Sequence, residues 1–186
     1  MKVAVYLGAA AGNQPSFTEN AYKLGSLLAR SGHTVVYGGS NVGCMKALAN
    51  GAQENAGKVI GVFPKGFKGS LNAQKQGLKV KREGLDQMIY VADFSERKQK
   101  IEEIAECFVI MPGAFGSLDE LFSCACGKAL NRIKGPIYIL NYNGYYNPIK
   151  QMVENMFNAG LIVEDLTHIL TFLPDVESIV NAINKG

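Results

Sequence analysis

The chain has 186 residues, 47% of them apolar and 19% charged, a balance that supports a buried core and excludes a disordered tract-like protein. Nineteen Lys and Arg against sixteen Asp and Glu leave a net charge of +3, too small and too scattered to specify nucleic acid, though compatible with an anionic small molecule. The four cysteines (Cys44, Cys107, Cys124, Cys126) form no C-x-x-C pair and only His33 and His168 join them, so no metal ligand set is expected and buried free thiols are the plain reading.

In chain order, short β-branched runs alternate with longer helical patterns. Val3-Ala4-Val5-Tyr6-Leu7 marks a strand over 2–7, interrupted too soon by glycine to read as a secretory signal. A helix follows near 16–31, where Ser16 and Glu19 have capping-box spacing. A strand at 33–37 leads to a helix near 42–56, and a third strand is expected at 58–63. Residues 64–84, rich in Lys, Gly, Gln and Asn, fit no element and read as a long loop, either a lid or a solvated excursion. A strand at 87–91 precedes a helix near 94–106, whose start again has capping-box spacing through Asp93 and Glu96. The series closes with strands at 107–111, 136–140 and 169–172 and helices near 117–131, 145–158 and 174–185. Near-continuous apolar strands alternating with helices predict an α/β fold: a doubly wound, Rossmann-like parallel sheet with helices on both faces, as a single domain over 1–186. With no apolar run of membrane-spanning length, a cytoplasmic location is the expectation.

Ligands of such sheets bind beyond the carboxyl ends of the strands. Three of those ends are followed by small, glycine-rich turns: Gly8-Ala9-Ala10-Ala11-Gly12, Gly38-Gly39-Ser40-Asn41-Val42-Gly43, and Pro112-Gly113-Ala114-Phe115-Gly116-Ser117. Neither G-x-G-x-x-G in the first turn nor G-x-x-x-x-G-K-[ST] anywhere is present, which argues against hydride transfer with a dinucleotide and against P-loop chemistry. Glu120 has two readings. With Ser117 it fits a capping box; beside a phosphate-binding turn it is instead a base or a holder of water. Arg97 stands four residues before Ile101, on the core-facing stripe of its helix, so its guanidinium is directed inward; the alternative is a snorkelling surface arginine. Lys98 adds charge next to it.

Glu96-Arg97-Lys98 followed by Pro112-Gly113-Ala114-Phe115-Gly116-Ser117-Leu118-Asp119-Glu120 resembles the paired motifs of the LOG ("Lonely guy") family, long described as possible lysine decarboxylases. Tyr6-Leu7-Gly8-Ala9, Val36-Tyr37-Gly38-Gly39, Val59 to Lys65 and Asn143-Gly144-Tyr145-Tyr146 resemble further family blocks, so the likeness extends over nearly the whole chain. It implies a cytokinin riboside 5′-monophosphate phosphoribohydrolase: hydrolysis of the N-glycosidic bond of N6-modified AMP, and of AMP, to free base and ribose 5-phosphate. By motif, the catalytic residues fall on Arg97 and Glu120. Substrate binding falls on Gly8, Ala9, Gly38, Gly39, Arg97, Lys98, Gly113, Ala114, Phe115, Gly116, Ser117 and Glu120. The resemblance implies a homodimer, a nucleoside monophosphate as the bound partner, neither nucleic acid nor membrane, and neither metal nor organic cofactor.

Several residues depart from the family pattern. Ala114 and Ser117 replace a glycine and a threonine of the second motif. Ser40 and Lys46 replace glycines around the second turn, and Ala9-Ala10-Ala11 replaces a serine-rich loop. Cys126, Gly127, Ala129 and Lys79 also differ from the usual residues. The alternative class is a non-catalytic carrier of a nucleotide or nucleotide-like cofactor, for which a carboxylate beside the phosphate loop has no purpose.

Overall fold

The computed structural model describes residues 1–69, 74, 77, 79–163 and 168–186. Seven strands, β1 (Lys2–Tyr6), β2 (Thr34–Tyr37), β3 (Val59–Pro64), β4 (Gln87–Val91), β5 (Cys107–Ile110), β6 (Ile137–Leu140) and β7 (Leu170–Leu173), form one sheet in the order β4-β3-β2-β1-β5-β6-β7. Every pairing is parallel, with Val3 opposite Val35 on one side of β1 and opposite Cys107 on the other. The described helices are α1 (Pro15–Arg30), α2 (Gly43–Gln53), α3 (Phe94–Ile104), α4 (Phe115–Ala129), α5 (Asn147–Asn158) and α6 (Val176–Lys185). None is long and apolar enough to cross a membrane.

Strand periodicity divides the core. Val3, Val5 and Leu7 face one side of the sheet, with Leu24, Leu28 and Leu48 of α1 and α2 and Ile179 and Val180 of α6. Ala4 and Tyr6 face the other side, against Ile101 of α3 and Leu121 and Cys124 of α4. The doubly wound expectation is thereby met. On the first face α1 and α2 touch backbone to backbone, because a Cβ at Gly25 would overlap the Leu48 carbonyl oxygen and one at Gly51 the Tyr22 carbonyl oxygen.

Three expectations are corrected. Ser16 caps nothing: Pro15, whose fixed φ suits a first helical position, starts α1 one residue earlier, behind Gln14. Ser117 and Glu120 do not form a capping box either. The chain already turns into α4 at Phe115 with Ala114 as N-cap, so Ser117 lies in the first turn and Glu120 a turn further along. Cys44, Cys107 and Cys124 are buried as expected, but Cys126 is exposed on the outer side of α4. By contrast the Asp93 carboxylate does cap α3, accepting from the Glu96 N–H at 2.9 Å.

The expected loop at 64–84 falls in part outside the described residues. Its last stretch is ordered against the second glycine turn. The Asn41 N–H donates to the Val80 carbonyl at 2.7 Å, the Arg82 N–H donates to the Gly39 carbonyl at 2.9 Å, and Ser40 and Lys81 form an antiparallel bridge. The Arg82 guanidinium donates to Asn41 Oδ1, Asn50 Oδ1 and Gln53 Oε1, clamping this stretch to α2.

Candidate active site

The strand order reverses at β1, which lies between β2 and β5, and at such a switch point the loops diverge and leave a crevice. A cavity of ≈ 500 Å³ opens there. It is lined by Gly8 and Ala9 after β1, Gly38 and Ser40 after β2, and Gly113, Ala114, Gly116 and Ser117 after β5, together with Arg97 and Glu120. The three glycine-rich turns thus share one rim. Gly39, Lys98 and Phe115 stand off it. Gly39 turns the chain at φ +70 against Met88, Lys98 Nζ is engaged by both Asp119 carboxylate oxygens at 2.9 Å, and Phe115 is 88% exposed.

Arg97 and Glu120 meet in this wall. Arg97 Nη2 donates to Glu120 Oε1 at 2.9 Å, with both side chains largely removed from solvent. Asp93 fixes the first turn of α3 and so directs Arg97 inward, while α4 brings up Glu120 from the opposite side. The guanidinium carbon lies 4.9 Å from the Phe94 ring centroid, a cation–π contact that holds the group level. Its Nη1 edge lies over Gly38, where a Cβ would come within 2.9 Å. Its Nε is buried without a hydrogen-bond partner among the described residues.

Burial dominates the Glu120 carboxyl, pushing its pKa from the ordinary 4.5 up to about 7 against the opposing pull of Arg97. A carboxyl so poised exchanges protons near neutrality and works as either base or acid. Tyr6 is buried with no hydrogen-bond partner for its hydroxyl among the described residues, and burial raises the pKa of that phenol well above its usual range.

The turn after β5 offers donors. Among the described residues no side chain caps α4, so the N–H groups of its first turn, whose Gly116 and Ser117 line the cavity, are left with the positive end of the helix dipole. A Cβ at Gly113 would overlap Ser117 Oγ, so glycine is what lets this hydroxyl settle in the turn. The Tyr145 hydroxyl, on a residue that also lines the cavity, donates to the Gly113 carbonyl at 2.7 Å and anchors the turn. Among the described residues no three or more His, Cys, Asp or Glu side chains gather as a metal site.

Motif reading missed the apolar wall: Phe17, Met45, Phe63, Phe67, Val80 and Phe94. Phe67 packs edge-on to Phe94 with centroids 4.9 Å apart and leans on Phe63 at 5.8 Å. Phe63 stands next to last in β3 and Phe94 begins α3, positions that the rule of strand carboxyl ends also marks. The cavity therefore combines one anion-binding corner, one buried guanidinium–carboxylate pair and one aromatic wall, as would suit a phosphorylated ligand with a flat apolar body.

Comparison with known proteins follows the same line. A family model described as possible lysine decarboxylase matches residues 45–183. The cytokinin riboside 5′-monophosphate phosphoribohydrolase LOG of Oryza sativa subsp. japonica is 30% identical over 179 residues, 96% of this chain and 71% of that protein. The cytokinin riboside 5′-monophosphate phosphoribohydrolase of Rhodococcoides fascians is 31% identical over 183 residues, 98% of this chain and 89% of the relative. Among solved structures, the molybdenum cofactor binding protein from Rippkaea orientalis superposes with a TM-score of 0.71 at 20% identity, covering 99% of this chain and 95% of that one, a likeness of fold.

Proposed function

The chain belongs to the LOG family, matched by the possible lysine decarboxylase model, and from that premise we propose that it is a nucleoside 5′-monophosphate phosphoribohydrolase. Its substrates are AMP and N6-modified AMP, cleaved by water to free base and ribose 5-phosphate. The observation that carries this reading is the buried Arg97–Glu120 pair, 2.9 Å apart, beside the uncapped start of α4. Family names for the relatives support it.

In this reading the 5′-phosphate rests on the N–H groups of the first turn of α4 and on the Ser117 hydroxyl, which fixes the ribose beside Glu120. Breaking the bond between C1′ and the base nitrogen leaves positive charge on the ribose, and the Glu120 carboxylate stabilises it. The same carboxylate takes a proton from the attacking water. The water oxygen bonds to C1′ as the bond from C1′ to the base nitrogen breaks, its electron pair going to the base. The base takes up a proton from solvent and Glu120 returns the water proton to solvent, so one water is consumed. Arg97 favours the ionised form of Glu120 against the effect of burial and presents its remaining N–H groups to ribose hydroxyls or phosphate. The aromatic wall receives the base. A homodimer belongs to this reading too: exposed Phe115, the first residue of α4, and Leu130, just past its last, are apolar surface for a second copy to cover.

The carrier alternative shares the fold of the Rippkaea orientalis protein but assigns no task to Glu120. Incubation with AMP, dAMP and N6-isopentenyl-AMP, with chromatography for free base and calorimetry for binding, separates the two. Base release supports the enzyme, whereas tight binding with intact nucleotide throughout leaves the carrier.

A further inference from the structure

We propose that Ser40 is a specificity-determining residue of this cavity, its hydroxyl making a hydrogen bond to the base of the bound nucleotide. The inference rests on the nucleotide reading above and adds a residue to it. Ser40 lines the cavity, is 6% exposed, and has a hydroxyl oxygen that is buried without a partner among the described residues. A buried hydroxyl left unbonded is costly, and an unmet donor and acceptor in the wall of a ligand cavity is accounted for by a partner that arrives with the ligand.

The backbone that carries it is held rigidly. The Ser40 carbonyl accepts from the Tyr37 hydroxyl at 3.1 Å, and its neighbours Gly39 and Asn41 are bonded to Arg82 and Val80. Such fixing from both sides gives the hydroxyl a constant position, as a recognition group needs.

Its place in the sheet says which part of the ligand it meets. Ser40 follows β2 and the phosphate-binding turn follows β5, with β1 between them. Two strand spacings are on the order of 10 Å, comparable with the reach of a nucleotide from its phosphate to its base. The surroundings agree: a Cβ on the preceding Gly39 would stand 3.3 Å from Phe63 Cβ, and the following Asn41 is bonded to Val80, both in the apolar wall. In that wall Ser40 offers a hydroxyl to a polar edge of an otherwise flat, apolar group. Ribose and phosphate are met elsewhere, by Glu120, Arg97 and the start of α4.

The test compares AMP with ribose 5-phosphate, which lacks the base, as calorimetric ligands in the Glu120→Gln background, where AMP is bound without turnover, with and without Ser40→Ala, alongside ligand-free melting temperatures. The expected result is AMP affinity about tenfold weaker with Ser40→Ala. Ribose 5-phosphate affinity is expected to be unaltered and the ligand-free melting temperature undiminished, since no internal bond is lost. Equal changes for the two ligands, no change for either, no AMP binding in the Glu120→Gln background, or a ligand-free protein that melts several degrees lower with Ser40→Ala would each overturn the inference. Failure of wild type to release adenine from bound AMP would instead defeat the hydrolase reading, while the affinity ratio would still decide the role of Ser40.

Discussion

Replacing Glu120 by Gln removes a charge that the fold is reluctant to hold, so the variant gains stability as it loses activity. The Glu120 carboxyl titrates near 4.5 in an unfolded chain and at about 7 in the folded protein, with burial as the main cause. Between those values the folded state binds the proton that the unfolded state has released, so stability is lost as pH rises through the window. At 1.36 kcal/mol per pKa unit the difference amounts to about 3 kcal/mol. Glutamine does not titrate. The variant and the wild type should therefore be of similar stability near pH 4, whereas near pH 8 the variant should lead by about 3 kcal/mol, roughly 6–12 °C in melting temperature for a chain of this size. Urea denaturation of ligand-free protein at both pH values measures the gap directly. The same substitution lowers kcat by about 10²–10⁴-fold, since the base is gone. Wild-type kcat/KM should climb with pH up to about 7 and then level, while the residual rate of Glu120→Gln stays flat. A stability gap that is the same at both pH values would refute the desolvated carboxylate, and with it the reasoning that poises Glu120 near neutrality.

Two glycines give further expected outcomes. Gly113→Ala places a methyl where Ser117 Oγ lies and displaces the hydroxyl from the phosphate turn, so KM for AMP should rise at least about tenfold while circular dichroism remains that of the wild type. Gly38→Ala brings a methyl within 2.9 Å of Arg97 Nη1 and pushes the guanidinium off the Glu120 carboxylate. Here kcat should fall by about tenfold or more, and the pH at which the rate levels should move upward because Arg97 no longer favours the ionised carboxyl.

Much of this architecture is legible in the residues because parallel strands are buried on both faces. Val3 to Leu7 and Cys107 to Ile110 are unbroken apolar runs, and no other element suits them. The inward turn of Arg97 was legible as well, since its spacing from Ile101 belongs to the helix itself and the Asp93 cap fixes where that helix starts. The Ser117–Glu120 spacing misled because a capping pattern does not encode where the chain bends. Pro112, Gly113 and Ala114 complete the turn early, and the helix is already under way at Ser117. The aromatic wall could not be read in advance. Phe17, the Phe63–Phe67 pair and Phe94 come from three different connections, and only the strand order brings them to one crevice. The bridge between Ser40 and Lys81 is non-local in the same way, joining a turn to a stretch that composition alone assigns to loop.

The central claim is that Arg97 and Glu120, meeting over a phosphate-binding turn, cleave a ribosyl–base bond. Its most direct measurement is simultaneous quantification of adenine and ribose 5-phosphate from AMP by wild type, Arg97→Ala and Glu120→Gln. The account predicts equimolar products from wild type, and rates reduced by about 10²-fold or more in both variants, with AMP still bound by the glutamine variant. Variants that match the wild-type rate, or a wild type that binds AMP and returns it intact, would contradict it.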